Sequence, residues 1–120
     1  MRGARLRKHA DYQRVYRESR KHVSASMSYF FVGRNSHPGE GPRVGLAAGR
    51  VLGKAVERNR IKRRMREAIR TNLDRLTRDV DVVLHPRRSV LAAELPNLQG
   101  EIARIFLAIE KAAGGREPLR

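Results

Sequence analysis

The chain has 120 residues, no cysteine, and 27 Lys and Arg against 12 Asp and Glu, for a net charge of +15. That length suits one domain, 1–120, with a modest core, and the lack of cysteine excludes disulfides, thiol chemistry and Cys-ligated zinc. No apolar run approaches a membrane span and the basic N-terminus lacks the apolar stretch of a signal peptide, so a cytoplasmic protein that does not engage a membrane is expected.

The charge is unevenly placed. Residues 1–22 and 50–70 together carry 13 of the 15 excess positive charges. Concentrated like charge works against a compact chain, and a polyanion relieves the repulsion. Neither stretch joins its charge to a broad Leu, Phe or Trp face, as a membrane-surface helix would. Nucleic acid is therefore the expected partner.

In chain order, residues 1–8 read as a flexible basic arm. A short helix is predicted over 10–19, where Tyr12, Val15 and Tyr16 recur at i, i+3 and i+4. Residues 24–34, SASMSYFFVGR, read as a strand. Met27, Tyr29 and Phe31 take one face, and Ser28, Phe30 and Val32 take the other. A short extra strand is predicted near 21–23. NSHPGEGP, 35–42, is turn chemistry. A second strand follows at 43–49, with Val44, Leu46 and Ala48 on its apolar face. Its other face, Arg43, Gly45, Ala47 and Gly49, is small enough for another element or a ligand to approach the backbone.

Residues 55–70, AVERNRIKRRMREAIR, open a helix predicted to run over 55–76. Seven of these sixteen residues are Lys or Arg, opposed by Glu57 and Glu67. At 100° per residue, Ile61, Met65, Ala68, Ile69, Leu73 and Leu76 cluster on one side. Asn59, Arg63, Arg66 and Arg70 cluster on the other, flanked by Arg60, Arg64 and Glu67. Arg58 and Lys62 project on the apolar side at the first turns, toward the sheet edge. A solvated helix held by i,i+4 ion pairs would balance its signs, and this one does not. Guanidinium groups match phosphate oxygens bidentately, so the helix reads as a phosphate-binding surface. Asn59 either donates to phosphate or ribose or orients a neighbouring arginine. VDVVLHP, 80–86, reads as a buried strand. The last helix is predicted over 95–112, with Pro96 in its first turn, Ile102, Ile105, Phe106 and Ile109 as its stripe, and Gly114–Gly115 as its stop. Residues 113–120 are then a flexible tail.

The order α-β-β-β-α-β-α implies an α+β fold, a two-layer sandwich of a small mixed four-stranded sheet with three helices. The strand–helix–strand segment 43–86 defaults to a right-handed crossover. Tyr29 and Phe31 are assigned to the core. Tyr12, Tyr16 and Phe30 are placed to line a groove between the first helix and the sheet. Rings beside a basic helix suit single-stranded nucleic acid, because charge tracks the backbone while rings stack on bases. The four histidines are scattered without metal-ligand spacing. Asp79 and Asp81 share a strand face, the one arrangement resembling an acid–base pair, and they read as the polar start of a buried strand. No protein active site is expected.

RNRIKRRMRE at 58–67, preceded by AV and a Gly-containing strand, resembles the signature of the protein subunit of bacterial ribonuclease P. LRKHADYQRVY at 6–16, RVGLAAGRVLGKAV at 43–56 and DVDVVLHPR at 79–87 resemble other segments of that family. Gly49, Arg50 and Val51 stand where the family usually has Ser-Lys-Lys, and Tyr12 and Tyr16 stand where Phe is common. The resemblance implies a fold similar to a ribosomal protein domain, with a left-handed crossover in place of the default. It also implies partnership with a catalytic RNA and with precursor tRNA, and no obligate protein partner. That RNA, with Mg²⁺ held mainly by it, would remove the 5′ leader of precursor tRNA. Arg58, Asn59, Arg60, Lys62, Arg63, Arg66 and Arg70 would meet the catalytic RNA. Tyr12, Tyr16, Phe30 and Arg50 would form the leader groove. The competing reading is a ribosomal or general structural RNA-binding protein without a role in processing. A stand-alone protein nuclease is a third.

Overall fold

The computed structural model of the chain describes residues 4–115. Its elements are α1 (His9–Glu18), β1 (His22–Val23), β2 (Met27–Gly33), β3 (Arg43–Leu46), α2 (Ala55–Arg70), β4 (Val80–Pro86) and α3 (Leu95–Gly115). Short 3-10 turns lie at Arg50–Leu52, Leu73–Arg75 and Arg88–Leu91. The sheet order is β1-β2-β4-β3. β4 runs antiparallel to β2 and parallel to β3, to which it is joined through α2. The element order and the mixed four-stranded sheet are those expected. Among the described residues no helix is long and apolar enough to cross a membrane.

β4 is central, and its alternation divides the interior in two. Val80, Val82 and Leu84 join Met27 and Val44 beneath the apolar stripes of α2 and α3, with Ile61, Met65, Ile69, Ile102 and Phe106 fully buried. Val83 and Val32 point the opposite way, to Leu6 and to Val15 of α1. The sheet therefore carries α2 and α3 on one face and α1 on the other, so α1 adds a cover to the second face of the expected two-layer sandwich. β2 obeys its predicted faces: Tyr29 and Phe31 pack with the larger core, and Phe30 packs with α1.

Four boundaries differ from the sequence reading, two of them through contacts with α3. β2 starts at Met27 because Ser24 and Ser26 form a corner held by the buried carboxylate of Glu101. Ser24 Oγ donates to it at 2.6 Å and the Ser26 N–H at 2.8 Å, and Ser26 Oγ donates as well. Burial pushes the Glu101 pKa up, and these hydrogen bonds more than reverse it, so the net shift is downward. α2 stops at Arg70 rather than 76. The buried Asn72 side chain donates to Ala68 O and Gln99 O, both at 2.9 Å, and ties the end of α2 to α3. Side-chain amides compete with the helical ladder in this way. β3 ends at Leu46, one Ala47 N–H bond to Leu84 O short of the 3-10 turn. α3 runs on through Gly114 and Gly115, the expected stop.

The arm expected to be free over 1–8 is anchored in its described part. Arg5 makes a parallel bridge to Val44, the Leu6 N–H donates to Val44 O at 3.0 Å, and Leu6 is buried. The remainder of that arm, 1–3, and the end of the expected tail, 116–120, lie outside the described residues.

Asp81 is the most consequential buried polar group. Its carboxylate is fully buried on the α1 side of β4 and accepts from Arg14 at 2.8 Å, Arg34 at 2.9 Å and Arg43 at 2.8 Å. Burial raises its pKa, and the hydrogen bonds from Arg43, Arg34 and Arg14 outweigh that, leaving it below the usual carboxylate range. Asp79 accepts from the N–H groups of Gly39 and Gly41, both at 2.8 Å, and shapes the β2–β3 turn. Both carboxylates of the sequence-level acid–base pair are thus engaged in structure.

Removing the Asp81 carboxylate takes the nearest counter-charge from Arg34, whose side chain is 1% exposed and is left with backbone carbonyls and Asp79 at 3.6 Å. Asp81→Ala is expected to cost about 3–5 kcal/mol in denaturant unfolding, and a loss below about 1 kcal/mol would contradict this role. The folded-state pKa lies below the unfolded value of roughly 3.9. The contribution is therefore complete above about pH 4 and fades as pH falls through the folded value. Urea unfolding from pH 5 downward should show a smaller acid-side loss in Asp81→Asn than in the parent chain.

Candidate nucleic-acid interface

α2 begins under unusual local constraint. Gly53 has φ 122°, and a Cβ there would sit 2.4 Å from both Arg88 Nη1 and Glu57 Oε1. The bare backbone lets Arg88 reach Glu57 with a two-pronged ion pair at 3.0 and 2.9 Å. The same carboxylate accepts from the Lys54 N–H at 3.1 Å, placing negative charge at the positive end of the helix. The Arg88 hydrogen bonds, then the Lys54 N–H, pull the Glu57 pKa down to about 2.

Beyond that turn the helix sorts its residues. Ile61, Met65, Ala68 and Ile69 are buried. Asn59, Arg60, Arg63 and Arg66 are exposed, and no described residue makes a hydrogen bond or ion pair to their side chains. Asn59 does not orient a neighbouring arginine here, and its amide faces solvent. Arg70 is exposed but paired with Glu67 at 2.7 Å, which balances its charge locally. Lys62 is half-buried and, with Arg66 and Arg5, lines a cavity of about 100 Å³ beside Tyr12 and Val44 at the β3 edge. That is the direction expected of it. Arg58 is half-buried, and its Nε has no hydrogen-bond partner. Arg64 does not flank the outward face as expected. Its Nε donates to Val90 O at 3.0 Å and its Nη2 to Ala93 O, so it clamps the 3-10 turn before α3.

The aromatic residues divide as well. Tyr12 lies across Gly45, where a Cβ would come 2.5 Å from its hydroxyl. That hydroxyl donates to Leu6 O and accepts from the Leu46 N–H, both at 3.2 Å. Tyr12 therefore braces the anchored arm to the sheet, and the small face of β3 receives a side chain of α1 rather than a ligand. Tyr16 and Phe30 meet edge to face at 5.1 Å. Tyr16 Oη is 2.8 Å from His85 Nε2, and Phe30 and His85 are 5.4 Å apart. Burial and then Tyr12 raise the Tyr16 pKa, while burial and then Lys21 lower that of His85.

Phe30 and His85 form the floor of an open depression of about 510 Å³, rimmed by Lys21, Val51, Arg87 and Arg88. Arg50 is exposed at the start of the turn that carries Val51, itself 91% exposed. The structure thus gathers Tyr16 and Phe30, with Arg50 beside the rim, and sets Tyr12 apart. Sequence reading missed His85, Lys21, Val51 and Arg87. His85 was accessible to it: strand alternation puts it on the face of Asp81 and Val83, two residues beyond the latter. Among the described residues no group of three His, Asp or Glu side chains is placed to hold a metal ion.

A sequence-family model described as Ribonuclease P matches residues 1–110. The chain is 35% identical over 102 residues to the ribonuclease P protein component of Symbiobacterium thermophilum, covering 85% of this chain and 87% of that one. It is 40% identical over 107 residues to that of Chloroflexus aggregans, covering 88% and 76%. Its fold is similar to the RNase P protein of Staphylococcus aureus, with TM-score 0.72, 24% identity and coverage of 90% and 95%. It is likewise similar to that of Thermotoga maritima, with TM-score 0.71, 23% identity and coverage of 85% and 94%.

Adjacent arginines of α2 should behave differently. Arg63→Ala is expected to leave stability unchanged and to reduce the log–log salt slope of RNA affinity by about 0.7–0.9, the share of one phosphate contact. Arg64→Ala should instead lower unfolding stability by about 1–3 kcal/mol, the worth of its charged hydrogen bonds to the half-buried carbonyls of Val90 and Ala93. Similar behaviour of the two variants in both measurements would contradict the division.

Proposed function

The chain belongs to the ribonuclease P protein family, and from that premise we propose that it serves two RNA partners through two surfaces. The outward side of α2 binds the catalytic RNA of ribonuclease P. The depression beside α1 receives the single-stranded 5′ leader of precursor tRNA. In this way the protein supports Mg²⁺-dependent endonucleolytic removal of the leader.

The observation that carries this reading is the segregation of unpaired cations from accessible rings. Arg60, Arg63 and Arg66 form a charged stripe without aromatic residues, suited to the phosphates of a folded RNA. Phe30 and His85, with Tyr16 packed against both, form a ringed floor with a basic rim, suited to unpaired bases on an extended backbone. A duplex or a folded RNA offers few bases for such a floor, whereas a leader offers little else.

The chemistry is assigned to the RNA. The acid pair on β4 and the buried Glu101 are engaged in structure: Asp81 by three arginines, Asp79 by a turn and Glu101 by the serine corner. In this reading Mg²⁺ is held mainly by the RNA partner; among the described residues no group of three His, Asp or Glu side chains is placed to hold it. The protein contributes position and charge, and cytoplasmic tRNA maturation is the setting that this role implies.

Cleavage of precursor tRNA by a bacterial ribonuclease P RNA at low Mg²⁺ tests the reading. Addition of the protein should restore cleavage, and the protein without RNA should cleave nothing. Absence of rescue despite tight RNA binding would move the protein to the structural RNA-binding class. Within the active complex, Tyr16→Ala or Phe30→Ala is expected to weaken binding of precursor tRNA by about 1–3 kcal/mol, the worth of one stacked base, with little change for mature tRNA. Equal losses for both would remove the depression from leader binding.

A further inference from the structure

His85 stands in the middle of the depression with no role yet attached to it. It lies on β4 opposite Ser28 of β2. Its Nε2 is 2.8 Å from the Tyr16 hydroxyl, and its ring is 5.4 Å from both Tyr16 and Phe30. We propose that His85 is a specificity-determining contact of the leader site, which takes a phosphodiester of the single-stranded RNA and gains a proton as it does so. The inference rests on the leader-groove reading above.

The surroundings of the imidazole make the case. α1 presents Tyr16 to it, and the α1–β1 connection presents Lys21. β2 presents Ser28 and Phe30, the turn after β3 presents Val51 and Leu52, and the segment after β4 presents Arg87 and Arg88. No carboxylate lines the depression. Glu57, the acid next to that rim, is committed to Arg88. In the free protein every charge facing His85 is positive, and with its partial burial this favours the neutral ring. An RNA phosphate seated among Lys21, Arg87 and His85 reverses the local sign and gives an imidazolium N–H an anionic acceptor. Proton and RNA then favour each other's binding by the same factor.

The Tyr16 contact permits this change without rearrangement. A phenol hydroxyl donates to the neutral imidazole Nε2 and accepts from the protonated one. The Tyr16–His85 hydrogen bond survives in both states, and the edge-to-face pair with Phe30 keeps its geometry. Protonation thus alters charge at a fixed place, rather than the shape of the floor. The other histidines lie elsewhere: His22 stacks on Tyr29 on the opposite side of β2, His37 sits beside Glu40 in the β2–β3 turn, and His9 contacts Gln13 at the start of α1.

The test uses the complex reconstituted with a bacterial ribonuclease P RNA, a precursor tRNA made uncleavable by a 2′-deoxy substitution at the scissile position, and mature tRNA. Affinity for both is measured at pH 8 and pH 6. The precursor-over-mature ratio should rise severalfold toward pH 6, and the precursor's log–log salt slope should steepen by about 0.7, one added single-strand contact. His85→Gln, which keeps an amide for Tyr16, should hold the lower ratio at both pH values. His85→Lys, permanently charged, should hold the higher one. A wild-type ratio above one that is the same at both pH values would overturn the proposal while leaving the leader groove intact. A pH-dependent rise retained in His85→Gln would do the same. A ratio of one throughout would overturn the groove reading and this proposal with it.

Discussion

The buried carboxylate of Asp81 is the constraint that sets α1 on the sheet. A single anion on the central strand gathers Arg14 from α1, Arg34 from beyond β2 and Arg43 from β3. A buried charge of either sign is costly alone, and the group is tolerable only complete. It therefore fixes α1 against the far face of the sheet at one angle. Tyr12 and Tyr16 ride on that helix, so the same carboxylate sets where one of them seals the β3 edge and the other meets Phe30. The support that Tyr16 gives Phe30 and His85 at the floor of the depression follows from how α1 is pinned.

The same chemistry explains how a chain of net charge +15 remains compact. Its cations fall into two populations. Arg14, Arg34, Arg43, Arg64, Arg87 and Arg88 are spent on carboxylates or backbone carbonyls and hold elements together. Arg60, Arg63 and Arg66 have no partner among the described residues, and Lys62 faces a small basic cavity. The first population holds elements of the fold together, and the second is left for the RNA contact proposed for α2. Repulsion within the second is concentrated along α2, whose other side is secured by the largest part of the core.

Much of this was legible in the sequence, and the gaps have physical causes. Period-2 and period-3.6 patterns located every helix and the long strands, because burial on one face imposes them. The faces of β2 followed from alternation alone. The outward stripe of α2 was legible for Asn59, Arg63 and Arg66. Arg64 was not separable from them, since whether an arginine meets solvent or the Val90 carbonyl depends on a turn 26 residues away. Asn72 ended α2 early through a contact with α3 that no local pattern encodes. Tyr12 and Tyr16 are equivalent in spacing and chemistry, and only the anchored arm and Gly45 distinguish brace from groove. His85 was hidden in the opposite way: its position was readable, but its neighbours on α1 and in the turn after β3 come from distant parts of the chain.

The absence of cysteine allows a direct test of the two-surface account, because a single introduced cysteine can carry a unique probe. Val51→Cys marks the rim of the depression. Arg70→Cys marks the far end of the α2 stripe, at a position whose charge Glu67 already balances. A hydroxyl-radical source would be attached at each site in the complex with catalytic RNA and precursor tRNA. The account expects cuts in the 5′ leader from position 51, and cuts confined to the catalytic RNA from position 70. Leader cuts from position 70, or none from position 51 in a complex that still processes precursor, would contradict it.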